Sequence, residues 1–142
     1  MKYFFLFLVV SFFPTMLMSQ VSQSYDCFKY DKMFFKVETL PKFGKSSEDL
    51  ESYFDSSFKK MNYLFDARIL VQINLDSTGT PCCSNILKSL GGDVDFQKIR
   101  NTIYNMPKWI PAKQNGHDVN YTFGIVLFYQ NNKLNVLHGN TD

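Results

Sequence analysis

The chain has 142 residues, of which 45% are hydrophobic and 17% aromatic, and its 15 basic and 13 acidic side chains give a formal net charge of +2. Length and composition suit a single globular domain. Basic residues such as Lys59, Lys60, Arg68, Lys108 and Lys113 are scattered among acids, which argues against nucleic-acid binding through a basic stripe.

Lys2, the almost wholly apolar run from Tyr3 to Phe13, and Leu17-Met18-Ser19 before Gln20 read as an export signal over residues 1–19. Ser11, Pro14 and Thr15 shorten the apolar run below the ~20 residues that a membrane span prefers. Cleavage is therefore expected, giving an exported mature protein. The alternative is an uncleaved anchor helix, and membrane contact is expected only in that case. Of three cysteines in an exported chain, at least one stands outside any intramolecular pair. Cys27 with Cys82 or Cys83 is the expected disulfide, since a bond between the two adjacent residues would be strained. Neighbours on a strand point to opposite faces, so Cys82 and Cys83 should split, one inward and one outward.

After a polar arm over 20–33, a domain is predicted over 34–130. Ser46 with Asp49 three residues on is a capping-box signal, and Leu50, Phe54, Phe58 and Met61 recur at helical spacing. Ile69, Val71, Ile73 and Leu75 alternate with Gln72 and Asn74, as in a strand buried on one face, and Asp76-Ser77-Thr78-Gly79 turns the chain back into a second strand from Cys82 to Leu90. Gly91-Gly92 ends that strand. Asp93 is the predicted cap of a second helix with Phe96, Ile99, Ile103 and Met106 at intervals of three or four.

Pro107 and Pro111 then hold Met106 and Ile110 in extended backbone around the only tryptophan, Trp109, and Asn115-Gly116 turns into the next strand. Trp109 should pack at the helix–sheet junction with its N–H on a backbone carbonyl. Val119, Tyr121, Phe123, Ile125, Leu127 and Tyr129 give the last predicted strand an unbroken apolar face. In the tail, 131–142, Gln130-Asn131-Asn132-Lys133 has hairpin chemistry, and Leu134, Asn135 and Val136 offer an extra edge strand that would block the one before it. The fold class that follows is α+β, a small two-layer sandwich with two helices packed on one face of a short antiparallel three- or four-stranded sheet.

The isolated His117 and His138 do not form a metal-ligand set with Cys82-Cys83, and no nucleophile stands beside a base in a recognisable context. No metal, no cofactor and no catalytic residue is predicted. A redox or hydrolytic enzyme remains a third reading without a supporting motif.

Met106-Pro107-Lys108-Trp109-Ile110-Pro111-Ala112-Lys113-Gln114-Asn115-Gly116 resembles the Met-Pro-x-Trp-x-Pro-Gly-Lys-Gln-Asn-Gly link of the TonB C-terminal domain family, with Ala112 in place of glycine. Val37-Glu38-Thr39-Leu40-Pro41-Lys42-Phe43-Gly44 is similar to the Val-Glu-x-Met-Pro-x-Phe-Pro-Gly-Gly start of one subgroup. Leu70 to Gly79 resembles the first strand and its hairpin, with Gly91-Gly92 following before a helix. The resemblance spans roughly Phe34 to Tyr129. It implies a module that takes an extended segment of a partner, such as an outer-membrane receptor, beside its last strand, in TonB-dependent transport. On this chain the receiving strand would be Val119 to Phe128, with Asn120, Thr122, Gly124, Val126 and Phe128 facing the partner. The alternative is an anchored TonB-type energy transducer, although no proline falls between Gln20 and Leu40 to build a long spacer.

Overall fold

The computed structural model describes residues 32–138. The predicted leader, most of the arm and Cys27 lie outside the described residues. The elements are α1 (Ser47–Lys60), β1 (Ala67–Leu75), β2 (Pro81–Gly91), α2 (Phe96–Tyr104), β3 (Ala112–Gln114), β4 (His117–Val119), β5 (Tyr121–Gln130) and β6 (Lys133–His138). Four strands form an antiparallel sheet in the order β2-β1-β5-β6, and β3 with β4 forms a separate two-stranded sheet. The class is α+β, as predicted.

α1 starts as its sequence dictates. The Asp49 carboxylate accepts the backbone N–H groups of Lys45 and Ser46, two donors that the helix itself cannot satisfy. Leu50, Phe54 and Phe58 lie on one stripe and are buried, whereas Met61 is only the C-cap, 36% exposed. They share one core cluster with Ile69, Val71 and Ile73 of β1, Ile125 and Leu127 of β5, and Ile99 and Ile103 of α2. Each such fully buried side chain contributes about 1.5–3 kcal/mol. Phe54, Phe58, Tyr63, Phe65 and Tyr129 continue it as a run of ring contacts with centroids 5.1–5.8 Å apart.

The second helix departs from its prediction. Its N-cap is Asp95, not Asp93, and the Asp95 carboxylate accepts the N–H groups of Gln97 and Lys98. A cap must sit directly before the first turn to reach those donors, and Asp93 is too early. Phe96 is 41% exposed, and Met106 lies beyond the helix but is buried. Prolonging α2 would require helical backbone just before Pro107, which the proline disfavours.

The predicted last strand is divided. Val119 belongs to β4, which pairs back on β3 through a turn at Asn115 and Gly116, both with positive φ. The expectation of a border strand over Val119–Phe128 is overturned, because β5 lies inside the sheet. It pairs with β1 from Tyr121 to Phe128 and with β6 from Ile125 to Gln130. Near its start, Phe34 takes the other side, donating to the Asn120 carbonyl at 2.9 Å and accepting from the Thr122 N–H at 3.0 Å. The cause is local turn chemistry with burial. Asn131 (φ 53) and Asn132 (φ 59) supply the left-handed pair that a two-residue hairpin needs, and Leu134 and Val136 of β6 enter the core.

Candidate functional site

Two of the three sequence motifs, Val37–Gly44 and Met106–Gly116, come together in space. Lys42 and Ile110 exchange backbone hydrogen bonds of 3.0 and 2.8 Å, and Thr39 and Lys113 do so at 3.1 and 2.9 Å. The Glu38 carboxylate accepts the Asn115 N–H at 2.9 Å, closing the far end. Both segments are extended because Pro41, Pro107 and Pro111 bias them so, and pairing satisfies polar groups that such backbone leaves open.

Gly79 fixes this ladder to the sheet. The Trp109 N–H donates to the Gly79 carbonyl at 2.8 Å, and a Cβ on Gly79 would lie 2.0 Å from the Trp109 carbonyl oxygen. Its φ of +82 serves the turn as predicted, and its missing side chain also admits Trp109. The indole then packs between Phe43, centroids 5.1 Å apart, and Phe123, 5.2 Å apart. Trp109 is 4% exposed, as its predicted core role requires. Its indole N–H, however, meets no acceptor among the described residues. The expected carbonyl partner is absent because rings flank the indole and the nearby backbone is spent on the Lys42–Ile110 and Gly79–Trp109 pairs.

Beside this indole is a cavity of 410 Å³ lined by Leu40, Phe43, Leu50, Trp109, Tyr121 and Phe123, with Lys42, Lys45 and His138 also on its wall. The His138 ring lies nearly parallel to that of Phe123, and partial desolvation there holds its imidazole below the usual pKa although the residue stays exposed. Of the remaining motif residues, Pro41 and Gly44 line the cavity, while Met106, Pro107, Pro111 and Gly116 belong to the link and its turn. Gly91 and Gly92 lie elsewhere, against the backbone of Asp66.

The residues predicted to face a partner are largely engaged within the chain. Asn120 accepts the Ser77 N–H at 2.8 Å and donates to the Lys32 carbonyl at 3.1 Å. Thr122 is buried, donating to Asn74 Oδ1 at 2.6 Å and accepting from Gln72 Nε2 at 2.9 Å. Gly124 packs toward Leu70, half-buried Val126 pairs with Leu137 of β6, and Phe128 lies under the Arg68 guanidinium at 4.4 Å. Cys83 is fully buried and disulfide-bonded, and the Cys82 Sγ lies 3.3 Å from the Asn74 carbonyl oxygen.

With β5 enclosed, β2 and β6 border the sheet among the described residues, and on each a helix side chain meets an outward amide. The Ser84 N–H donates to the Tyr104 hydroxyl at 3.0 Å, and the Val136 N–H to the Glu51 carboxylate at 3.4 Å. Periodicity could not reveal these guards, since they depend on which strand ends at the border. Among the described residues no group of three or more His, Cys, Asp or Glu could hold a metal, and no helix is long and apolar enough to cross a membrane. No family model, no curated protein and no solved structure matches the chain.

Proposed function

We propose that this chain is an exported cell-envelope module that binds an extended segment of a partner protein by strand addition, and that it is not an enzyme. The mode is the one implied by the TonB C-terminal resemblance, with a receptor-type partner and a role in TonB-dependent transport, but the receiving strand is β6. The observation that carries this is the outward Val136 N–H, held at the sheet border by a side-chain carboxylate and, among the described residues, not by a further strand. Glu51 can swing away at little cost, because its contact with Lys133 is long, 3.8 Å, and partly solvated. An incoming peptide carbonyl would then take its place. Main-chain bonds would supply affinity and alternate side chains selectivity.

Amide hydrogen exchange on the protein with a partner captured from envelope extract tests the reading. Protection should be gained at Leu134, Val136 and His138, whose amides share the outward parity. Gain confined to other segments would refute it. N-terminal sequencing of the mature protein separates the exported form from an anchored transducer.

A further inference from the structure

We propose that the aromatic cavity at the His138 end of β6 receives the C-terminal residue of the added peptide, its apolar side chain beside Trp109 and its free carboxylate between Lys42 and Lys45. This rests on strand addition at β6 and specifies which end of which kind of peptide enters.

The cavity and the border strand belong to one groove. Ser47 and Leu50 at the start of α1 and His138 at the end of β6 line the 410 Å³ cavity. A second hollow of 180 Å³ lies between the same two elements, lined by Glu48, Glu51, Asp55, Lys133 and Leu134. The groove between α1 and β6 thus has two chemically different ends. At the first, the lining is aromatic and aliphatic, its lysines are Lys42 and Lys45, and no carboxylate side chain among the described residues lines it. At the second, three carboxylates stand around one lysine.

That polarity selects both an occupant and a direction. A cavity of this size with mostly apolar walls and a few charged groups suits an apolar side chain with one polar end. The cations at its rim call for an anion, and a chain terminus is the anion that an extended peptide can bring there without a further side chain. The Lys45 and Ser46 amides beside the cavity are already taken by Asp49 and do not supply the recognition. The indole N–H of Trp109, buried in the wall without an acceptor, is a donor that no group of the described chain uses. With the carboxylate at the His138 end, the peptide runs parallel to β6. From His138 back to Leu134 is four residues, about 13 Å, so a side chain four positions before the terminus reaches the acidic hollow. The recognised class is therefore a peptide ending in an apolar, preferably aromatic, residue with a free carboxylate and carrying Lys or Arg about four positions earlier.

The test titrates the purified protein with the hexapeptide Ser-Lys-Thr-Val-Thr-Phe as free acid and as C-terminal amide, following the fluorescence of Trp109, the sole tryptophan. The acid should bind about tenfold tighter than the amide. Lys42→Ala with Lys45→Ala, both at exposed positions, should abolish that difference. Exchange protection of the Val136 amide is read in the same samples. Protection with equal affinities for acid and amide overturns the cavity's role and leaves strand addition standing. Failure of every peptide to protect Val136 sinks strand addition, and this proposal with it. N-acetyl-phenylalanine binding as tightly as the hexapeptide would make the cavity a small-molecule site and overturn the peptide assignment.

Discussion

Gly79 illustrates how one residue can answer to two demands at once. A glycine at the end of Asp76-Ser77-Thr78-Gly79 is explained by the hairpin, and its positive φ would suffice to select it. Its second task, leaving room for the Trp109 carbonyl, involves a residue 30 positions away and has no local signature. The two can be separated by mutation. Gly79→Ala should cost about 1–3 kcal/mol for backbone strain and more for displacing Trp109. Gly116→Ala, at φ +74 with nothing within 4 Å, should cost the backbone strain alone. Urea unfolding followed by Trp109 fluorescence measures both, and the Gly79 variant should also alter the emission of the folded state. Equal losses with unchanged emission would mean that the docking of Trp109 contributes nothing.

At the scale of elements, β6 decides how the sheet can be used. Its hairpin was readable from Asn131-Asn132, but its consequence for β5 depends on Leu134 and Val136 finding space in the core. A strand that carries two core side chains is a structural member, not a removable cover. Leu134→Ala should therefore cost about 2–5 kcal/mol, and ending the chain after Asn131 should weaken or abolish the cooperative thermal transition followed by circular dichroism. The self-block reading of the tail expects the opposite, a truncated protein that stays folded and binds peptide better, and a peptide titration decides between them. The short α2 carries a related lesson. Asp93 and Asp95 are both chemically good caps, and the choice fell on Asp95, whose backbone also accepts from and donates to the Tyr63 hydroxyl.

For the whole molecule, acid stability should follow two groups of opposite chemistry with the same sign. The backbone N–H of Lys45, then that of Ser46, holds the Asp49 carboxyl below its usual pKa. Its contribution is thus fully present above pH 3.8 and fades as the pH falls toward its folded value. Partial desolvation lowers the pKa of the otherwise exposed His138 from 6.5, so charging it opposes folding and stability declines slightly as the pH drops below 6.5. Chemical denaturation between pH 7 and 3 should show both slopes, with Asp49→Asn flattening the lower and His138→Gln the upper. Sequence by itself determined the elements with strong periodicity, α1, β1 and the apolar face of β5, because spacing and caps are local properties. It also supplied the residues of the aromatic site, Phe43 and Trp109, as members of two separate motifs. That these motifs pair with each other, that β5 is enclosed, and that a cavity with cationic rim and apolar walls opens at the end of β6 were decided by tertiary structure alone. The reason is physical: strand neighbours, cavity walls and the partner of each outward amide are set by contacts between residues far apart in the chain, which no local pattern encodes.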